Sequence, residues 1–187
     1  RNHLFTTILF HQQIKKMSKL KLFIISANMV LVLLFFGFNI VKNEKVLSEG
    51  ETVLLELRPV DPRSLMQGDY MTLHFEVCNH IYGLEAESNK FCVVRLDDDR
   101  VAHFVSLTND AAVALREDEL LLRYSLEKNS WGGKFYTIGS DSYFFQEGTG
   151  NKYVAATYGM LKVVTKGEMI GTCSLVGLCD ADKKLIK

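Results

Sequence analysis

The chain has 187 residues, 48% of them apolar and 24% charged, with a formal net charge of zero. Those values exclude a polar disordered segment, and the length suits one ordinary domain with something added. The zero hides a division, because five basic and no acidic residues precede residue 42 while all 22 acidic residues follow it. A mildly acidic body without a Lys/Arg stripe is not built to neutralise nucleic-acid phosphates.

In chain order, residues 1–16 (RNHLFTTILFHQQIKK) read as an extension upstream of a natural start at Met17, so His3 and His11 are assigned no role. Residues 17–21 form a short basic tip. Leu22 to Val41, LFIISANMVLVLLFFGFNIV, carries no charge over 20 residues. A helix rises 1.5 Å per residue, so this stretch spans about 30 Å, the hydrocarbon thickness of a bilayer. Lysines on its N-terminal side predict an N-terminus in the cytoplasm. The run exceeds the roughly 7–15 residues of a signal-peptide core, and its exit shows no small-residue pair at cleavage spacing. The expectation is an uncleaved anchor in the inner (cytoplasmic) membrane, with the remainder in the periplasm or outside. Asn28 and Asn39 sit near its ends, where an amide can pair helices in lipid. Residues 42–50 read as a polar stalk.

The body, residues 51–187, holds both prolines of the chain and many short β-like runs. VLLELR (53–58) is a strand ended by Pro59. MTLHFEV (71–77) alternates, with Met71, Leu73, Phe75 and Val77 on one face. FCVVRL (91–96) and VAHFVSL (101–107) flank a hairpin turn at Asp97–Arg100. TNDAAVALREDE (108–119) is the one place for a helical turn, capped by Thr108 or Asn109. ELLLRYSL (119–126) alternates again. KFYTIG, DSYFFQEG, KYVAATYG, MLKVVT and EMIGTCSLVGL complete the set, with a tight turn at Lys166-Gly167. Period-two runs punctuated by Gly and Asp predict an all-β fold, mainly an antiparallel sandwich or barrel.

Four cysteines, Cys78, Cys92, Cys173 and Cys179, lie in the part placed outside the cytoplasm, where disulfides persist. Cys78 and Cys92 flank the 79–91 connection and suit a bridge stapling that loop. Cys173 and Cys179 offer a second, and the sequence does not choose among the pairings. No metal or cofactor pattern is present: there is no C-x-x-C, and GTG in QEGTGNK lacks the strand–loop–helix context of a nucleotide loop. His74 and His103 alternate with apolar neighbours and read as surface-facing strand residues. Asp97-Asp98-Asp99 reads as a solvated turn rather than a cation site.

RPVDPRSLMQGDYMTLHF (58–75) stands out. Pro59 stops a strand, Asp61 is held extended by Pro62, and Gly68 with Asp69 makes a second corner. Leu73 and Phe75 go to the core. The first reading is a structural corner, because Asp and Gly at turns usually serve the backbone; the alternative is a site that displays Asp61, Arg63, Asp69 and Tyr70 as a polar cluster, joined by Glu147 from a later segment. GDYMTLHF resembles the signature of the GDYXXLXY family, with Phe75 where the family name has tyrosine. LRPVDPRSL (57–65) is similar to the family's lead-in, and SYFFQEGTG (142–150) to its second recurring segment. The resemblance implies one N-terminal anchor, an extracytoplasmic β-rich domain, and in some members association or fusion with a multipass membrane protein. It implies no reaction.

P-x-x-L-x-x-G-D after an anchor is also similar to the region following the nucleophile of type I signal peptidases. No serine stands where that chemistry needs it, and Ser64 has no motif-placed lysine, so a serine nucleophile would lack its base. The expectation is therefore a single-pass accessory or binding protein whose partner is a multipass membrane protein, more an adaptor than an enzyme. The alternatives are a signal-peptidase-like hydrolase and a small-ligand-binding envelope protein.

Overall fold

The computed structural model describes residues 19–58, 70–82, 84, 90–128 and 134–186. It divides into two units, residues 1–43 and residues 44–187.

Helix α1, Lys19–Glu49, contains the whole apolar run. Over residues 22–41 its large apolar side chains are all exposed, from 41% at Val32 to 73% at Phe38, and it shows no polar face. By length and composition it can cross a membrane, a test that an anchor and a signal sequence both pass. Within the helix the Asn39 amide donates one N–H to the Phe35 carbonyl at 2.8 Å. The polar residues 42–49 continue the same helix. Lysine and glutamate are good helix formers, and Lys45 and Glu49 pair one turn apart.

In the second unit the last turn of α1 is built into the β body, where Val46 is only 2% exposed. Gly50 ends the helix by donating its N–H to the Val46 carbonyl at 3.0 Å. Three antiparallel sheets follow among the described residues. β1 (Glu51–Glu56), β8 (Tyr158–Val163) and β9 (Cys173–Cys179) form one in the order β1-β8-β9. β2 (Tyr70–Thr72) and β7 (Ser142–Phe144) form a two-stranded ribbon. β3 (Phe91–Leu96), β4 (Ala102–Thr108), β5 (Glu119–Lys128) and β6 (Lys134–Ile138) run in the order β4-β3-β5-β6. The antiparallel all-β expectation for the body holds, and no sheet closes into a barrel among the described residues.

One core joins the sheets. Val53 and Leu55 from β1, Leu161 from β8 and Leu178 from β9 pack in the same cluster as Cys92, Val94, Leu120, Leu122 and Ile138. Strand β5 is buried on both faces. Leu120, Leu122 and Tyr124 face the main core, while Leu121 joins Phe91 and Val93 in a second cluster beneath Val113, Leu115 and Ile170. That second cluster explains residues 109–118. They form turns and extended backbone rather than the expected helical turn. Thr108 accepts from the Asp110 amide and Asp110 from the Ala112 amide. Local side-chain caps of this kind compete with helix formation, and the segment lies over the outer face of the sheet.

Two further expectations are corrected. MTLHFEV is a strand only to Thr72, and helix α2 spans Glu76–Ile81. The alternating residues are buried as expected, at 6% for Met71, 4% for Leu73, 2% for Phe75 and 3% for Val77, but the ribbon partner β7 ends opposite Thr72. KYVAATYG begins in a 3-10 helix, Gly150–Ala155, which turns Tyr153 into the core before β8 starts.

The hairpin at Asp97–Arg100 forms as expected. Asp97 accepts from the amides of Asp99 and Val101 at 3.0 and 2.8 Å, and Arg100 takes a positive φ of 63°. Asp99 is ion-paired with Lys183. Asp97 and Asp99 are therefore engaged by the turn and by the C-terminal loop.

Candidate functional site

The motif corner lies partly outside the described residues. Pro59, Asp61, Pro62, Arg63, Ser64, Gly68 and Asp69 belong to that part. What is described is where the motif comes from and where it goes.

It leaves β1 through Leu57 and Arg58. Leu57 donates its amide to the Thr157 carbonyl and bridges to Phe75, and Arg58 donates its amide to the His74 carbonyl. The chain therefore departs and returns side by side. On return, Tyr70 pairs with Phe144, Met71 with Tyr143 and Thr72 with Ser142. The two segments carrying the family resemblance, far apart in sequence, are thus the two strands of one ribbon. Its inner side, Tyr143 and Phe145, packs on Tyr153 with ring centroids 5.4 and 4.9 Å away. Burial, followed by a hydrogen bond with Tyr153, pushes the Tyr143 hydroxyl above its ordinary value. On the outer side the Tyr70 and Phe144 rings lie 5.7 Å apart, and Phe144 is 73% exposed. Glu147 sits exposed in the following turn, where Thr149 donates its amide and hydroxyl to the Gln146 carbonyl. No hydrogen bond or ion pair joins Glu147 to Tyr70 among the described residues.

Past the ribbon, Leu73 donates its amide to Asp141, and Leu73 and Phe75 are buried as expected. Between them His74 points outward into an open cleft of about 640 Å³ lined by Arg58, His74, Phe75, Cys78, Asn79, Tyr82 and Tyr136. Helix α2 supplies its floor and one wall. Arg58 donates to the Asn79 side-chain oxygen at 3.1 Å, and the Asn79 amide donates to Glu76 at 2.8 Å. The Arg58 Nε lies 3.4 Å from the same carboxylate. Both ionic groups are about half exposed, so this pair contributes no more than about 1 kcal/mol; its effect is to hold three planar polar groups in one orientation. Tyr82 and Tyr136 meet edge to face at 5.2 Å, and His74 meets Phe135 at 6.4 Å.

Cys78, at the floor, belongs to the same core cluster as Cys92 and packs near Cys173. The expected Cys78–Cys92 bridge is not formed, and all four cysteines are thiols. Cys78 lies on α2 with its sulfur turned into the core rather than at a strand end flanking a loop. Burial, then the neighbouring Cys173, pushes its thiol up to about 12. Such a thiol is not a nucleophile at neutral pH. Among the described residues no three His, Cys, Asp or Glu side chains converge as metal ligands.

Sequence reasoning named Tyr70, Leu73, Phe75 and Cys78 and missed the cleft. His74 was set aside as a surface residue, and Arg58, Asn79, Tyr82 and Tyr136 carry no motif of their own. The signal available was the alternation itself, which puts His74 on the outward face between two buried positions.

The arrangement defines a class: a β-rich body following one apolar helix, with aromatic and planar polar side chains on its outer surface. The GDYXXLXY protein family matches residues 32–173. That span covers most of the chain, from the second half of α1 to the start of β9, and the chain belongs to this family. No curated protein and no solved structure matches it.

Proposed function

We propose that the chain is a single-pass accessory protein of the inner membrane, N-terminus in the cytoplasm, whose β body binds a multipass membrane protein from the far side. In this reading the three- and four-stranded sheets are the two layers of an extracytoplasmic sandwich. The basic tip before Leu22 supports the orientation, because lysines flanking an apolar span are retained on the cytoplasmic side.

The observation that carries the binding role is the ribbon. The two segments by which the family is recognised meet there and leave an aromatic pair, Tyr70 and Phe144, facing outward, with Phe144 73% exposed. Aromatic side chains are enriched at the centres of protein interfaces because they bury large area at low entropic cost. An anchored body meets its partner in two dimensions, which raises the effective concentration of a modest contact.

The test is crosslinking and capture of the intact protein from its native membrane, wild type beside Phe144→Ser. Recovery of one multipass protein by the wild type, with loss in the still-folded variant, is the expected outcome. Equal recovery by both removes the ribbon from the contact, and recovery of no multipass protein by the wild type removes the accessory role.

A further inference from the structure

We propose that the cleft at α2 binds a neutral, hydroxyl-rich ligand, one or two sugar rings in size. The inference is independent of the partner reading, because none of the cleft residues lies on the ribbon.

The first ground is charge. Among the described residues the only permanent cation lining the cleft is Arg58, and Glu76 stands 3.4 Å from its Nε with Asn79 bonded to both. The positive charge is balanced where it sits. An anion entering here has to compete with that carboxylate, and separating a close pair leaves a charge without its partner.

The second ground is hydrogen-bond capacity. A guanidinium carries five N–H donors, of which the Asn79 and Glu76 contacts use a part. Asn79 carries both donor and acceptor atoms, His74 offers two ring nitrogens, and a tyrosine hydroxyl such as that of Tyr136 both donates and accepts. A lining that donates and accepts from planar groups suits a ligand whose rim does the same, as a sugar hydroxyl does. A carboxylate or phosphate accepts only.

The third ground is the aromatic wall. Tyr82 is 49% exposed and is braced edge-on by Tyr136, which is itself braced by Tyr124 at 5.6 Å. A half-exposed ring held in place by others offers an apolar platform beside polar groups, matching the apolar C–H face and polar rim of a pyranose. The 640 Å³ of the cleft falls in the range of about 300–1,000 Å³ typical of small-molecule sites.

The experiment uses the full chain in lipid nanodiscs free of glycoside detergent, which would itself occupy a sugar site. Chitobiose, maltose and cellobiose are titrated separately, with benzoate as the planar anionic control, and binding is read by saturation-transfer NMR and calorimetry. The expected result is saturable transfer to the ring protons of at least one disaccharide and none to benzoate. Tyr82→Ala is expected to weaken that binding about tenfold with an unchanged melting curve. His74→Ala, at an exposed position, gives a second reading should Tyr82→Ala fold poorly. Benzoate binding without sugar binding overturns the proposal, as does the absence of binding by any probe. Sugar binding left unchanged by both variants overturns the assignment to this cleft. Capture of a membrane partner succeeds or fails separately, since its variant, Phe144→Ser, leaves the cleft intact.

Discussion

Gly159→Ala tests how tightly the motif is locked to the sheet behind it. A Cβ at Gly159 on β8 falls 2.7 Å from Cε1 and 3.2 Å from Cζ of Phe75, and 3.4 Å from Leu175. Carbon atoms prefer about 3.5–4.0 Å, so the ring has to move by about 1 Å. It has little freedom to do so. Phe75 is 2% exposed, its backbone bridges to Leu57, and its carbonyl accepts the Cys78 amide at 3.0 Å. Overpacking of this kind costs about 1–3 kcal/mol, against roughly 0.5–1 kcal/mol that alanine gains over glycine in a strand. The net expectation is a loss of roughly 1–2 kcal/mol, or a fall in melting temperature of about 3–8 °C. Thermal unfolding followed by circular dichroism measures it. Phe75→Leu removes the clashing ring atoms and costs about 1–2 kcal/mol alone. The double variant should then be more stable than the sum of the two losses by about 1 kcal/mol. Additivity, or a Gly159→Ala protein as stable as wild type, refutes the argument.

Gly50→Ala places a Cβ 2.4 Å from the Val46 carbonyl oxygen and 3.0 Å from the Val163 amide nitrogen; both are backbone atoms, so a destabilisation of about 3 kcal/mol is expected in the same assay. Phe144→Ala removes only an exposed cross-strand pair and should cost less than about 1 kcal/mol, a result that separates a binding defect from a folding one. Asp97 is raised by burial, but donors from Val101, Asp99 and His103 outweigh this and hold it below its ordinary value of 3.8. A depressed carboxyl stabilises above that value and loses the contribution as pH falls through the folded one; the stability gap between wild type and Asp97→Asn should therefore close below about pH 3.8, measured by acid titration of the melting temperature. Burial pushes Cys78 and Cys173 up to about 12, so iodoacetamide at pH 8 should modify them more than about a thousandfold slower in the native chain than in urea, read by peptide mass spectrometry.

Short apolar runs bounded by turn residues were legible as strands. FCVVRL and ELLLRYSL became β3 and β5, and the Asp97–Arg100 turn between β3 and β4 followed from its composition. The failures have a common physical cause. Alternation reports which side chains are buried and says nothing about whether a partner strand runs alongside. Met71, Leu73, Phe75 and Val77 are all buried, yet the last of these lies on a helix, because six residues are too few to display a 3.6-residue period. Residues 109–118 offered a helical turn capped by Thr108 or Asn109, but Val113 and Leu115 serve the outer face of β5, which local sequence does not reveal. The cleft draws on Arg58, on the segment from His74 to Tyr82, and on Tyr136. Only the return of the chain beside its own departure point, and the packing of α2 against β6, bring these together.

The pairing of β1 has a consequence for biogenesis. The first strand after the helix finds its neighbour in β8, and the side chain of Lys162 reaches back to the Gly50 carbonyl across 112 residues. A ribosome that has released α1 and β1 must complete most of the polypeptide before that neighbour exists. Closing so long a loop is slow, and meanwhile an apolar strand with unsatisfied backbone groups is open to wrong partners. Fragments truncated anywhere before Tyr158 should therefore be degraded or retained on chaperones. Length of chain, more than strength of any local element, decides when this body comes into being.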